Sequence, residues 1–188
     1  MKKGLLIVVS APSGAGKTTI VKEILKEFPD FQFSVSATTR TKRPEEEDGR
    51  EYFFLSKEEF ENKISSGEFV EYEEIYGNYY GTLKSEVDRA ISENNTIVFD
   101  VDVKGALSIK KNYPQAILIF IQPPSVEELR RRLLQRKSET EGQIEKRMAR
   151  VPMELEKARD FDYIVINDDL KKAVSEVIGI INQKLQER

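Results

Sequence analysis

The sequence contains no cysteine and no histidine among its 188 residues. Without cysteine, it has neither a disulfide framework nor a thiolate metal site. Without histidine, it lacks His-based zinc sites and the Ser–His or Cys–His pairs that many hydrolases use. Any chemistry must therefore rest on Lys, Arg, Asp, Glu, Ser, Thr, Tyr and backbone groups.

Long apolar runs are also missing. Residues 5–9 form an apolar run that is far too short for a signal peptide or a membrane span, and no other segment comes near the required length. The formal net charge is -3, with 34% of residues charged, which argues against a nucleic-acid coat or a membrane-surface protein. We therefore expect a soluble cytoplasmic protein of one domain that binds neither nucleic acid nor membrane.

Four short apolar segments predict buried parallel strands. They are residues 5–9, 96–101, 116–121 and 163–166. Helical patterns lie between and after them, and the last of these helices covers residues 170–185. Because strands alternate with helices, the sequence predicts an α/β fold with a parallel sheet covered on both faces.

Residues 31–83 interrupt this alternation. Phe31, Phe33 and Val35 alternate with polar residues, which predicts a half-exposed strand. A polar loop, a short strand at 52–55, a helix opened by the capping box of Ser56 and Glu59, and an aromatic strand pair around residues 69–80 follow. We expect a small mixed α+β insertion here.

A second irregular region spans residues 124–150. A capped helix is predicted to start at Ser125, with Glu128 three residues later, and it is dense in arginine. A polar stretch at 138–142 separates it from a second helix.

A glycine-rich turn joins the first strand to the first helix. It matches the P-loop pattern, with Ala in place of the first Gly: Ala11-Pro12-Ser13-Gly14-Ala15-Gly16-Lys17-Thr18, followed by Thr19. Gly14 and Gly16 can adopt positive φ, so that successive N–H groups point inward at an anion beside the start of the helix. Lys17 then reaches the outer phosphates and Thr18 offers a hydroxyl to Mg²⁺. The competing interpretation is an ordinary strand–helix turn.

Two further groups of residues favour phosphate chemistry. Asp100 ends an apolar strand, so it should share a sheet edge with Lys17 and support Mg²⁺ there; the alternative is an acid that caps the next helix. Arg40 and Arg43 lie in a polar loop, and arginine suits forked contact with phosphate oxygens. A solvated charged loop is the other explanation.

Taken together, six motifs resemble the guanylate kinase family in order and spacing over nearly the whole chain. They are Ser10-Ala11-Pro12-Ser13-Gly14-Ala15-Gly16-Lys17, Ser34-Val35-Ser36-Ala37-Thr38-Thr39-Arg40, Gly77-Asn78-Tyr79-Tyr80-Gly81, Asp100-Val101-Asp102-Val103-Lys104-Gly105, Pro123-Pro124-Ser125 and Asn167-Asp168-Asp169-Leu170. The resemblance implies a P-loop kinase fold with a five-stranded parallel sheet flanked by helices. Its core would span about 1–33, 84–123 and 151–188, its GMP-binding insertion about 34–83, and its helical lid about 124–150.

The resemblance also implies transfer of the γ-phosphate of ATP to GMP, and to dGMP, with Mg²⁺, which supplies guanine nucleotides. The implied GMP-phosphate contacts are Arg40, Arg43, Tyr52 and Tyr80, and the implied guanine contacts are Ser36, Glu71, Thr82 and Asp102. Carboxylates suit guanine because its N1–H and 2-amino groups are donors. The implied catalytic set is Lys17, Arg40, Arg136 and Arg147. At Lys42, Pro44 and Glu45 the loop tip departs from the family pattern.

Three other functions compete with this interpretation. Another nucleotide kinase on the same core would differ in its preferred acceptor. Domains of this type also serve as protein-binding modules, but those have typically lost P-loop residues that this chain keeps, namely Gly16, Lys17 and Thr18. A switch GTPase would carry an Asn-Lys-x-Asp motif, which this sequence lacks.

Overall fold

The computed structural model describes residues 4–135 and 140–187. Within them, nine strands form two sheets: β1 (Leu6–Ser10), β2 (Gln32–Phe33), β3 (Ser36–Thr38), β4 (Tyr52–Phe54), β5 (Phe69–Ile75), β6 (Asn78–Leu83), β7 (Ile97–Asp100), β8 (Ile117–Gln122) and β9 (Tyr163–Ile166). The helices are α1 (Lys17–Glu27), α2 (Lys57–Ser65), α3 (Lys84–Ser92), α4 (Val103–Asn112), α5 (Val126–Gln135), α6 (Glu141–Met148), α7 (Val151–Lys157) and α8 (Leu170–Gln186).

The larger sheet has five strands in the order β2-β7-β1-β8-β9, and every neighbouring pair is parallel. Ile7 and Val9 of β1 face the buried side chains of α1 and α8, whereas Leu6 and Val8 face those of α3 and α4. Burial on both faces explains why β1, β7 and β8 are continuous apolar runs. The prediction of a buried strand at 163–166 is wrong in part, because β9 lies at the edge of the sheet and exposes Ile164 and Ile166. The predicted α/β fold with a five-stranded parallel sheet flanked by helices is confirmed.

The smaller sheet has the order β4-β3-β6-β5 and is mixed. β3 pairs with β4 in parallel, while β5 and β6 form an antiparallel hairpin. Phe60 of α2 stacks on Phe69 and Tyr79, which covers one face of this sheet. The capping box at the start of α2 is present, because Glu59 N–H donates to Ser56 Oγ and Ser56 N–H donates to the Glu59 carboxylate.

The half-exposed strand expected around Phe31, Phe33 and Val35 is divided between the two sheets. Only Gln32 and Phe33 pair with β7, and the last bond to the larger sheet runs from Ser34 N–H to the Val98 carbonyl. The chain then enters the smaller sheet at Ser36. Alternation of apolar and polar residues indicates which way side chains point, but it does not indicate which strand becomes the partner.

The two helices predicted between residues 124 and 150 are present as α5 and α6. The polar break expected at 138–142 lies partly outside the described residues, and α6 already begins at Glu141. Ser125 Oγ accepts from the Glu128 N–H at the start of α5, and a capping box of Thr140 and Gln143 begins α6. Within residues 4–135 and 140–187, none of the helices combines the length and the hydrophobicity that a membrane span requires. The boundaries expected for the core, the insertion and the lid stay predictions.

Candidate active site

The P-loop forms the connection between β1 and α1. Gly14 and Gly16 have φ values of 96° and 97°, and the N–H of Ala15 donates to the Pro12 carbonyl at 3.0 Å. Outside glycine, the described residues with positive φ are Tyr76 and Asn94. Ala11 therefore keeps an ordinary backbone conformation, which explains why a side chain is tolerated there.

A buried asparagine from the far edge of the sheet fixes this loop. Asn167, just after β9, donates from Nδ2 to the Ala15 carbonyl at 2.8 Å. A Cβ on Gly16 would lie 2.4 Å from that nitrogen. A side chain at this position is therefore excluded both by the close contact with Asn167 and by the positive φ. The Asn167 side chain thereby supports the P-loop backbone.

The predicted phosphate and metal residues meet at one edge of the sheet. Lys17 Nζ lies 2.6 Å from Asp100 Oδ1 and donates to the Val101 carbonyl at 2.8 Å. Thr18 Oγ1 lies 3.3 Å from Asp100 Oδ2, and Thr19, the next residue of α1, is exposed. This arrangement follows from the topology, because β1 and β7 are parallel neighbours and end at the same edge.

Arg40 is held in place by a glutamate that the sequence analysis did not single out. Its Nη2 lies 2.7 Å from Glu46 Oε1, and its guanidinium lies over the rings of Tyr52 and Phe54. The hydrogen bond from Arg40 lowers the pKa of Glu46 below its ordinary value, against the opposing effect of burial. Arg43 is exposed, and its N–H donates to Glu46 Oε2 at 2.8 Å.

Tyr52 and Tyr80 meet edge to face, with ring centroids 6.1 Å apart. Burial raises the pKa of Tyr52 to about 12, and the negative charge of Asp100 adds to the shift. Tyr52 therefore lies within electrostatic reach of Asp100 and remains a neutral phenol that can donate a hydrogen bond. Arg40, Tyr52 and Tyr80 thus form one group on the smaller sheet.

The predicted guanine contacts form a second group beside α4. Glu71 and Thr82 are cross-strand partners on β5 and β6, and Thr82 Oγ1 donates to Glu71 Oε1 at 2.6 Å. A Cβ added to Gly105 would lie 2.8 Å from Glu71 Oε2 and 3.1 Å from Asp102 Oδ1, so both carboxylates reach the bare face of this glycine.

Burial shifts both carboxylates of this group. It raises the pKa of Glu71 above its ordinary value, and it raises the pKa of Asp102 to about 7, where a hydrogen bond with Glu73 adds to the shift. Asp102 is also the N-cap of α4 and accepts from the Gly105 N–H at 2.9 Å. Ser36 begins β3 opposite Tyr52 and is half-buried.

Arg147 on α6 connects the helices after β8 with the P-loop and with the smaller sheet. Its Nη1 donates to Ser13 Oγ in the P-loop, and its guanidinium lies 6.0 Å from the ring centroid of Tyr76 at the tip of the β5–β6 hairpin. Arg136, the other lid residue in the predicted catalytic set, lies outside the described residues. Arg130, Arg131 and Arg132 pair with Glu145 and Glu128 within the lid.

Sequence reasoning missed several residues of this site. Glu46 stands in a run of three glutamates, and nothing local distinguishes it from Glu45 or Glu47. Glu73 and Arg150 form an ion pair between the insertion and the start of α7. These partners are 77 residues apart in sequence, so no spacing pattern indicates that they meet.

A P-loop on a parallel sheet, a facing group of arginine and phenols, and a helical segment that carries arginine across to the loop define the class of P-loop nucleoside monophosphate kinases. Residues 3–184 match the family model described as guanylate kinase. The chain belongs to the guanylate kinase family. It is accordingly a kinase that binds ATP and GMP and phosphorylates GMP.

Individual relatives agree with this family. The chain is 50% identical to a guanylate kinase of Salinibacter ruber over 96% of both chains. It is 47% identical to one of Thermotoga maritima, covering 97% of this chain and 88% of the relative. The crystal structure of guanylate kinase from Anaplasma phagocytophilum matches with a TM-score of 0.78 at 27% identity, over 98% of this chain and 88% of that one.

Proposed function

We propose that this kinase binds ATP as its Mg²⁺ complex on the P-loop, binds GMP or dGMP on the insertion, and transfers the γ-phosphate in line. The observation that carries the proposal is the position of Asp100. It pairs with Lys17 at 2.6 Å on the donor side, and its charge acts on Tyr52 of the acceptor side. Two residues later, Asp102 faces Glu71 across Gly105, so one short segment connects the proposed donor group with the proposed guanine group.

The proposed donor site is the P-loop backbone together with its lysine and hydroxyl residues. Backbone N–H groups of a loop with this conformation bind phosphate oxygens, and the N-terminus of α1 adds its positive end. The proposed set is Ala11, Pro12, Ser13, Gly14, Ala15, Gly16, Lys17, Thr18 and Thr19. The fixed position of Gly16 against Asn167 supports a loop that is shaped before the nucleotide arrives.

The proposed acceptor-phosphate site consists of Arg40, Arg43, Tyr52 and Tyr80. Arg40 is already oriented by Glu46 and by the two aromatic rings below it, so little rotamer entropy remains to be lost on binding. Tyr52 is a neutral phenol at neutral pH, as an ordinary tyrosine is, and donates a hydrogen bond to a phosphate oxygen; its raised pKa keeps it neutral in more alkaline solution as well.

The proposed guanine site consists of Glu71, Asp102, Ser36 and Thr82. The two carboxylates accept from the N1–H and 2-amino groups, Ser36 donates to O6, and Thr82 orients Glu71 through its hydrogen bond. AMP would leave these buried groups unpaired, which disfavours it strongly. None of these contacts involves the ribose 2′-hydroxyl, so dGMP is an acceptor as well.

Transfer requires positioning and charge compensation. A GMP phosphate oxygen attacks the γ-phosphorus as the bond to the bridging oxygen of ADP breaks, and Lys17, Arg40, Arg147 and Arg136 offset the negative charge of the transferring group. No general base is needed, because a phosphate monoester with a second pKa of about 6 is mostly dianionic at neutral pH. Closure of the lid excludes water and so prevents hydrolysis of ATP.

The residues at the P-loop edge fit a magnesium ion. Thr18 and Asp100 supply a hydroxyl and a carboxylate oxygen 3.3 Å apart, the hard oxygen donors that Mg²⁺ prefers. Among the described residues, no cluster of three or more acidic residues could hold a metal alone, which suits an ion held mainly by substrate phosphates and water. When bound, the ion neutralises charge on the β- and γ-phosphates.

An acceptor panel tests the proposed function. ADP release is measured with GMP, dGMP, AMP, CMP and UMP, with Mg²⁺ and with EDTA in excess. We expect release with GMP and dGMP, little with the other three, and none when the metal is chelated. Equal rates with AMP would overturn the guanine site, and undiminished turnover in EDTA would overturn the magnesium site. The GDP formed then serves the supply of guanine nucleotides.

A further inference from the structure

Arg150 lies at the N-cap of α7 and bridges two carboxylates from different parts of the fold. Its Nη2 lies 3.1 Å from Asp102 Oδ2 and 3.3 Å from Glu73 Oε2. Its Nε lies 3.4 Å from Glu154 Oε1. One guanidinium thus joins the N-cap of α4, strand β5 of the insertion and helix α7, which follows the lid.

This contact determines the orientation of Asp102. One carboxylate oxygen, Oδ1, accepts from the Gly105 N–H at 2.9 Å, and the other, Oδ2, accepts from Arg150. A carboxylate with a hydrogen-bond donor on each oxygen cannot rotate freely about either of its side-chain torsions. Without Arg150, Oδ2 would lose its cationic partner, and only the Gly105 N–H and the hydrogen bond with Glu73 would hold the carboxylate.

The charged groups around Asp102 also indicate that it depends on Arg150. Glu71 and Asp102 meet at the bare face of Gly105, and Glu73 lies two residues beyond Glu71 on β5. Glu154 adds a fourth carboxylate and is buried. Lys104 pairs with Glu73 Oε1 at 2.7 Å from an exposed position, and Lys17 is paired with Asp100. Arg150 is therefore the cation in direct contact with Asp102, and its loss would leave Asp102 to ionise beside Glu73 in a partly buried place without a compensating charge.

Glu73 holds Arg150 where it can reach Asp102. Lys104 Nζ lies 2.7 Å from Glu73 Oε1, and Arg150 Nη2 contacts both oxygens, Oε2 at 3.3 Å and Oε1 at 3.5 Å. Lys104 stands on α4 and Glu73 on β5, so the pair also ties the insertion to the helix that begins at Asp102.

We propose that Arg150, supported by Glu73, is a positioning residue for guanine selection, which acts by holding the carboxylate of Asp102 towards the purine edge. This inference rests on the proposed role of Asp102 in reading guanine. GMP presents three N–H donors on that edge and engages both carboxylates, whereas IMP has no 2-amino group and presents one. If Asp102 loses its orientation, the binding of GMP is therefore weakened more than the binding of IMP.

The test compares kcat and KM for GMP, IMP and ATP in Arg150→Met, Arg150→Lys and Asp102→Asn. Losing a charge-assisted hydrogen bond at Asp102 should lower kcat/KM for GMP by about tenfold or more in Arg150→Met, mostly through KM. The preference for GMP over IMP should fall, and KM for ATP should change by less than about twofold. Arg150→Lys should recover part of the preference. Arg159→Met, an exposed arginine beyond α7, is the matched control and should behave like the native chain.

The double variant Asp102→Asn/Arg150→Met distinguishes a failure of the positioning role of Arg150 from a failure of the proposed guanine site. Because Arg150 acts through Asp102, the double variant should be no worse than Asp102→Asn alone. If Asp102→Asn loses the preference for GMP while Arg150→Met keeps it, or if the two losses multiply, the positioning role is wrong and the proposed guanine site stands. If Asp102→Asn itself keeps the preference, the role of Asp102 is wrong and this inference fails with it.

A folding defect must be distinguished from a loss of positioning. Arg150→Met leaves Glu73 with one partner fewer, so Glu73→Gln/Arg150→Met removes that charge as well. Circular dichroism and thermal melting show whether each variant is folded. Glu73→Gln/Arg150→Met should be folded and should still have lost the preference for GMP over IMP. If it is folded and keeps the native preference, the inference is contradicted.

Discussion

Asn167 and Ala15 are 152 residues apart in sequence and are joined by a buried hydrogen bond of 2.8 Å from the Asn167 amide to the Ala15 carbonyl. The N–H of Asn167 in turn donates to the carbonyl of Gln122 at the end of β8. The middle of the P-loop is thus attached to the strand ends of the sheet. A loop that must present its N–H groups in one orientation gains rigidity from this attachment.

Asn167→Ala should loosen the P-loop. The Ala15 carbonyl would lose its buried donor, which costs about 1–3 kcal/mol of folding stability, and the KM for ATP should rise while that for GMP changes less. Urea denaturation and steady-state kinetics measure both effects. Asn62→Ala, on the exposed side of α2, serves as the control. An unchanged KM for ATP would show that the loop keeps its shape without this bond.

Lys17→Ala should nearly abolish turnover. The variant loses the cation proposed to contact the outer phosphates, and we expect kcat to fall by several orders of magnitude, about as much as removal of a main transition-state contact. The change in unfolding free energy should be small, because Lys17 is partly exposed and its ion pair with Asp100 is near the surface. Lys26→Ala on the exposed face of α1 is the matched control, and native turnover in Lys17→Ala would refute the role of Lys17.

Gly105→Ala should impair guanine binding selectively. The added Cβ would lie 2.8 Å from Glu71 Oε2 and 3.1 Å from Asp102 Oδ1, so both carboxylates must move, and KM for GMP should rise while KM for ATP stays the same. Gly179→Ala in α8 meets nothing within 4 Å. It should leave kinetics unchanged and stabilise the protein by up to about 1 kcal/mol, through the higher helix propensity of Ala. Equal kinetics of the two variants would argue against a tight site at Gly105.

The Glu46–Arg40 pair should make stability depend on pH. The hydrogen bond with Arg40 holds the pKa of Glu46 below its ordinary value of 4.5 in the folded protein. Its contribution is therefore fully present above that ordinary value and is lost as the pH falls through the lower, folded-state pKa. Glu46→Gln should be less stable than the native chain at neutral pH, and the difference should shrink in acid. The midpoints of urea denaturation, measured from neutral pH into acid, test this prediction. Glu45→Gln, at an exposed position, is the control.

Much of the site could be predicted from local patterns. The spacing of Gly14, Gly16 and Lys17 after a buried apolar run indicates a phosphate-binding turn, because a strand, a turn of positive φ and a helix start are all encoded by neighbouring residues. Asp100 at the end of β7 was placed beside Lys17 by the rule that parallel strands end at one edge. The family and the five-stranded fold, inferred from six motifs, are confirmed.

Other features could not be predicted from such patterns. Glu46 was missed because its partner is selected by how the 40–52 loop folds back on the smaller sheet, and its neighbours in sequence are chemically the same. Arg150 stands near other arginines, and its partners Asp102 and Glu73 lie 48 and 77 residues earlier. The single strand expected around Phe33 became two, because its pairing partner depends on where β7 and β6 lie.

The sequence by itself determined the elements and the chemistry available to them: apolar runs that must be buried, glycines that permit an anion-binding turn, capping residues that start helices, and arginines and acids without any histidine. The tertiary structure alone decided which of many like charges became partners, such as Glu46 with Arg40 and Arg150 with Asp102. The physical reason is the distance in sequence over which each effect acts. Backbone propensity and periodicity act over a few residues, whereas ion pairs in a partly buried site depend on the order of strands in two sheets.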